Sequence, residues 1–233
     1  SLADNLKGDP SSTQSGMIIP KPDSSSIYYL FTVDDGPEYD RSNNIIEDGK
    51  GFNYYTIDIS IGNGEVVEGP VDLSDGKFNS WTEKVAAVKG KVCNTYWVVS
   101  AVENRFYAYQ VNNIAVSKTP TISIVPNSAS RRGYLKISPD GTKIAIANQN
   151  SNFNNSVFLY DFNNETGEVS KTSTKLIDGV SGTGQAYGVE FSSDSKKLYV
   201  SNTSGFRATI FNPIAYPAET YKLFQFDLES SDI

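Results

Sequence analysis

A block of seventeen residues occurs twice in this chain with little change of character. GYLKISPDGTKIAIANQ at 133–149 and YGVEFSSDSKKLYVSNT at 187–203 align without a gap. Ile137 falls on Phe191, Asp140 on Asp194 and Ile144 on Leu198. Each copy reads as strand, tight turn, strand. Self-similarity at a fixed spacing restricts the fold to one supersecondary unit used repeatedly: a propeller, a solenoid or an array.

Worn copies of the block extend the pattern over the whole sequence. Short runs of Val, Ile, Tyr and Phe are separated by Gly, Asn, Asp, Ser and Pro, and helical periodicity is nearly absent, which is an all-β pattern. Unit one has strands at 17–20, 27–33, 53–60 and 64–73. Unit two has them at 83–89, 95–102, 105–112 and 118–125. Unit three has them at 134–138, 143–149, 156–163 and 167–177, and unit four at 187–192, 196–202 and 221–229. Four hairpin-connected strands per unit describe the four-stranded antiparallel blade of a β-propeller. The expected blades cover 17–73, 83–125, 132–177 and 186–229. The fourth lacks its last strand, and residues 1–16, rich in Gly, Pro and Ser, read as a linker or the remnant of a preceding blade. Ser1 followed by LADN does not resemble a natural start. The chain is therefore expected to be a fragment of a larger propeller of which about four blades are present.

The third strands carry a polar acceptor at matched positions, Asp58, Gln110, Asp161 and Asp227, at spacings of 52, 51 and 66. Their expected job is structural: accepting backbone N–H groups at the strand end or turn.

Composition removes several function classes. The sequence has no histidine, so Ser-His-Asp and Cys-His catalysis, histidine-ligated zinc and imidazole pH switching are not available to it. A net charge of −7, with Arg131-Arg132 and Lys196-Lys197 as the longest basic clusters, argues against nucleic acid as partner. The single cysteine, Cys93, has no base beside it and reads as a bystander thiol. No apolar run approaches the roughly 20 residues that span a bilayer. With 38% hydrophobic and 12% aromatic residues the chain can pack a core.

Loop lengths single out one face. Strands alternate in direction, so connections 1→2 and 3→4 lie on one side of the disc and 2→3 and 4→1 on the other. The first class is short throughout. The second contains 34–52 and 203–220, with the polar, Gly-rich segments 74–82 and 178–186, and loops this long inside a domain usually carry function. In 203–220, Phe206, Arg207, Phe211 and Tyr216 suit a recognition surface, or the aromatics fold back over the rim. In 34–52, Asp34, Asp35, Glu38 and Asp40 offer the hard oxygen ligands that Ca²⁺ takes, though without EF-hand spacing; ordinary solvation is the alternative. Arg131, Arg132, Gln185 and Tyr187 fall where first strands begin, beside the central channel, either as small-ligand groups or as groups that order the inner strands. GTGQAYG at 182–188 precedes a strand rather than opening a helix, so it fails as a dinucleotide fingerprint.

The stretch LKGDPSSTQSGMIIPKPDSSSIYYLFTVD at 6–34 resembles the segment preceding a blade in large secreted surface proteins of Bacteroidetes. Those proteins often end in a gliding-motility-associated, type IX secretion sorting domain. TEKVAAVK, YWVVSAVENRFYAYQV, GYLKISPDGTKIAIA and YGVEFSSDSKKLYVS follow in the order of that resemblance, which covers most of the chain. KLYVSN also resembles YVTN-type and lactonase-like propellers. The resemblance implies a secreted or outer-membrane-surface location, further domains in the same protein, and no catalytic residue at any particular position. Two readings follow from loops and resemblance together. One is a non-catalytic module that binds a glycan or protein through its long-loop face without a cofactor. The other is a lactonase- or hydrolase-type enzyme with an acidic, Ca²⁺-assisted site at the channel mouth.

Overall fold

A computed structural model of the chain describes residues 6–149, 156–177, 185–204 and 220–230. The first sheet has β1 (Gly16–Pro20) and β2 (Ile27–Val33). A small hairpin of β3 (Glu38–Tyr39) and β4 (Ile45–Glu47) interrupts the sequence before β5 (Phe52–Asp58) and β6 (Glu65–Asp72) complete that sheet in the order β1-β2-β5-β6. The second sheet is β7 (Val85–Lys89), β8 (Tyr96–Val102), β9 (Arg105–Val111) and β10 (Thr121–Ile124). The third is β11 (Leu135–Ile137), β12 (Lys143–Asn148), β13 (Ser156–Asn163) and β14 (Glu168–Ile177). The fourth, among the described residues, has three strands, β15 (Gln185–Phe191), β16 (Lys197–Ser204) and β17 (Thr220–Asp227). All pairs are antiparallel. The chain is all-β, with the four-stranded antiparallel blades of a β-propeller.

The blades pack face to face, and three apolar clusters fill the spaces between successive ones. The first joins Phe31, Phe52 and Tyr54 to Val98, Tyr107 and Tyr109. The second joins Val99, Ala101 and Phe106 to Ile144, Ile146 and Phe158, and the third joins Ala145, Ala147 and Leu159 to Val189, Leu198 and Val200. Alternate residues of one strand thus enter different clusters: in β8, Val98 and Val102 face backward while Val99 and Ala101 face forward. A strand buried on both faces has no polar side to show, which is why YWVVSAV reads as an unbroken apolar run. Trp81, fully buried in the connection between the first two blades, stacks on Phe52 at 5.7 Å and donates its indole N–H to Ser100 Oγ at 2.9 Å.

The repeated block owes its sequence to one turn. Ser138 Oγ donates to Asp140 Oδ1 at 2.6 Å, Thr142 N donates to the same oxygen at 3.0 Å, and Lys143 N donates to Ser138 Oγ at 2.9 Å. Ser192, Asp194, Lys196 and Lys197 repeat this network at 2.6, 3.1 and 2.9 Å. Gly141 takes the left-handed φ of +71° that the turn needs, and Ser195 takes +62° at the matched position. The third-strand acceptors divide. Asp58 and Asp227 accept the backbone N–H of Ser60 and Glu229, as expected. Asp161 instead pairs with the Lys143 ammonium at 3.0 Å, because the register sets these residues opposite each other.

Residues 6–15, linker-like in composition, are pinned across the inner ends of the blades. Asp9 N donates to Val33 O, and Gln14 Oε1 accepts from Val85 N and Leu135 N at the starts of two inner strands. Thr13 Oγ1 accepts from Gly133 N and from the Tyr187 hydroxyl. Beneath them the ammonium of Lys84, fully buried, donates to the carbonyls of Arg132, Gly133 and Ala147 at 2.6, 2.6 and 3.0 Å, latching the second blade to the third.

Candidate functional site

The long-loop face is built where the chain leaves β2. Asp34 follows the last residue of that strand, and its Oδ2 accepts from Lys50 N at 2.6 Å, closing the base of the 34–51 loop. The loop is fastened to the next connection through Asn79, which accepts from Gly49 N at 2.6 Å and donates to Asp48 at 2.9 Å. The Arg131 guanidinium crosses from the third blade and donates to the main-chain oxygens of Asp35 and Asn79. It packs against Gly36, where an added Cβ would stand 1.7 Å from Nη1.

This frame brings three carboxylates together. Oxygens of Asp9, Asp34 and Asp35 all lie within 4.8 Å of one another. Asp34 is 2% exposed, and Asp9 and Asp35 are half-buried. Burial pushes the Asp35 carboxyl above the usual range, the charges of Asp9, Asp34 and Glu83 push it further, and Arg131 opposes them. Hydrogen bonding from Ser11 holds Asp9 low, against the effect of burial. Glu83 borders the group but is committed elsewhere: Oε2 accepts from Thr13 N and Oγ1 at 2.7 Å each, and Oε1 sits 3.4 Å from Arg132 Nε. The group consists of oxygen donors alone, a set that suits a hard cation or carboxylate acid–base work.

Of the residues singled out from sequence, Asp34 and Asp35 enter this group, whereas Glu38 and Asp40 do not. Glu38 is exposed on β3, opposite Glu47. Asp40 spends its oxygens on its own turn, accepting from Ser42 N, Asn44 N and Asn44 Nδ2, and these bonds hold its carboxyl low. Arg131, Arg132 and Tyr187 bond groups of the chain itself: the main-chain oxygens of Asp35 and Asn79, Glu83, and the Thr13 hydroxyl respectively. Thr13 and Gln14 bridge the inner strands, through Gly133 N, Val85 N and Leu135 N. Phe206, Arg207, Phe211 and Tyr216 lie outside the described residues. Asp9 was not legible as a site residue, because only the tertiary bond from its N–H to Val33 brings it to Asp34.

No protein-family model and no curated protein matches the sequence. Among solved structures the chain is similar to a periplasmic gluconolactonase of Pseudomonas aeruginosa, with 17% identity and a TM-score of 0.49 over 76% of this chain and 47% of that one. It is similar also to a GH43 β-1,3-galactosidase, with 9% identity and a TM-score of 0.48 over 87% and 73% of the two chains. An endo-arabinase from Bacteroides thetaiotaomicron gives 14% and 0.44 over 95% and 78%. The chain spans about half the length of the gluconolactonase.

Proposed function

We propose that this propeller is hydrolytic, acting through the long-loop face on a sugar-derived lactone or glycosidic bond, with Asp9, Asp34 and Asp35 as the acidic site. The observation that carries this reading is the convergence of the three carboxylates, one of them buried, at the root of the longest described loop. The sequence has no histidine, the acid–base groups gathered at this site are carboxylates, and both lactone opening and glycoside cleavage proceed with carboxylates alone or with a carboxylate-held cation. The test is turnover of a panel of sugar lactones and nitrophenyl glycosides by the chain and by Asp35→Asn. The expected result is activity on one class that falls at least about 100-fold in the variant, in line with the loss of a general acid–base group. Turnover equal in the two proteins, or none on either class, overturns the reading.

A second reading, a non-catalytic surface module that binds a glycan or protein, is favoured by the β3–β4 hairpin. It presents Tyr39, Ile45 and Ile46 to solvent on the same face, Ile46 with 64% of its surface exposed. On that reading Tyr39→Ala weakens attachment to a glycan array or to cell-surface extract and leaves any turnover unchanged. Retained attachment counts against it.

A further inference from the structure

We propose that Asp9, Asp34 and Asp35, together with Oδ1 of Asn53, bind a calcium ion that fastens the N-terminal segment to the 34–51 loop. This deepens the hydrolytic reading by naming the ion its carboxylates hold, and rests on the same site.

The first ground is charge without compensation. Three carboxylate oxygens stand within 4.8 Å of one another, and among the described residues none of the three forms a salt bridge with a lysine or arginine. Arg131 bonds the main-chain oxygen of Asp35 and acts on its carboxylate only through space, where burial and the acidic neighbours outweigh it. Lys50 acts on Asp9 only through space, and only its backbone N–H reaches Asp34. Mutual repulsion in a half-buried setting favours either a proton or a cation.

The second ground is independent of the acids. Asn53 is 1% exposed, and its Oδ1 has no donor among the described residues, although buried amide oxygens are nearly always bonded. Its cross-strand partner is Thr32, so both side chains project from the same face of the β2–β5 pair. Over that face runs the N-terminal segment: Thr32 Oγ1 donates to Lys7 O, and Gly8 rests on Thr32 so closely that an added Cβ would lie 3.0 Å from its Cβ. Asn53 Nδ2 donates to Lys50 O at 2.6 Å, and Lys50 N in turn donates to Asp34. The amide is thereby held between the segment that brings Asp9 and the residue that Asp34 grips, with its oxygen unspent. Three carboxylates and an unpartnered amide oxygen, carried on segments bonded to one another, are the donor set of Ca²⁺, which takes six to eight oxygens and completes its shell with water or bidentate carboxylates. Zinc and copper, which favour nitrogen and sulfur, find no such ligand here.

The test uses the chain freed of metal with EDTA and no substrate, so that loss of cation binding and loss of turnover are read separately. Calorimetric titration with CaCl₂, and Tb³⁺ luminescence in parallel, are expected to give one site with a Kd of about 10⁻⁴ M or tighter and a raised Tm in saturating Ca²⁺. Asp34→Asn and Asn53→Leu are each expected to weaken binding by roughly 10- to 100-fold. Asp35→Asn, at a half-buried position, serves if either of those fails to fold. Glu38→Gln with Asp40→Asn is expected to leave binding unchanged. No heat and no Tm shift at millimolar Ca²⁺, or binding abolished by the Glu38/Asp40 pair and indifferent to Asp34 and Asp35, overturns the assignment.

Discussion

Replacing Lys84 by methionine tests how the blades are held in register. The lysine stem is surrounded by core, and the ammonium reaches three carbonyl oxygens, two on the segment entering β11 and one on β12. Two large terms oppose each other. Burial pulls the Lys84 pKa from an ordinary 10.5 to about 7, with Glu83 pulling the other way; a displacement of that size corresponds to about 5 kcal/mol against the charged form. In the other direction, hydrogen bonds from a charged donor contribute about 1.5–3 kcal/mol each, so three of them supply about 5–9 kcal/mol. Methionine keeps the stem's packing and removes both terms. Arg132 O retains the N–H of Gln149 and the Ser130 hydroxyl, so the carbonyls of Gly133 and Ala147 bear the loss. The difference favours lysine by about 2 kcal/mol, and at about 2–4 °C per kcal/mol for a chain of this size the melting temperature of Lys84→Met should fall by about 4–8 °C. Thermal unfolding followed by the fluorescence of the buried Trp81 and Trp97 reads this directly. A variant as stable as the parent, or more stable, means that desolvation outweighs the carbonyl bonds and the latch does not stabilise the fold.

Three further perturbations probe other joints. Gly36→Ala places a methyl group against the Arg131 guanidinium at a φ of +101° and should cost about 1–3 kcal/mol; an unchanged melting temperature refutes the role given to Arg131. Thr13→Val removes the hydroxyl that meets Glu83, Gly133 and Tyr187, and should make the N-terminal segment susceptible to limited proteolysis while the blades stay resistant. Equal resistance would show the segment to be held by other bonds. At Asp140, burial raises the carboxyl, but hydrogen bonds from Ser138 and Thr142 outweigh it and leave the pKa below the ordinary 3.8. The stability that Asp140 contributes is therefore present above the unfolded-state value and lost as pH falls through the lower folded value. The gap between the parent and Asp140→Asn in urea titrations should accordingly close on acidification below about pH 4, and a gap independent of pH contradicts the turn network.

The central strands were legible because both of their faces are buried, as in β8 and β12, so their apolar runs stand out between turns rich in Gly, Asp and Ser. The repeated turn was legible because Ser, Asp and Lys serve it through bonds spanning two to five residues. Half of the acidic site was legible for the same local reason: Asp34 and Asp35 are adjacent in an acidic loop. The rest depends on long-range contacts. Asp9 arrives through a bond to Val33, Asn53 matters only because Thr32 lies opposite it, and Lys84 is buried by carbonyls of the next blade. Asp40 looked like a ligand from composition, yet Ser42 and Asn44 capture its oxygens within its own turn.

The site itself is tested most directly by anomalous diffraction from crystals of the chain soaked in Tb³⁺. The expected result is a peak bounded by Asp9, Asp34 and Asp35, with Asn53 Oδ1 among its ligands at a metal–oxygen distance of about 2.3–2.6 Å. A clean map at that position, with a peak instead at the exposed acids of the β3–β4 hairpin, would contradict it.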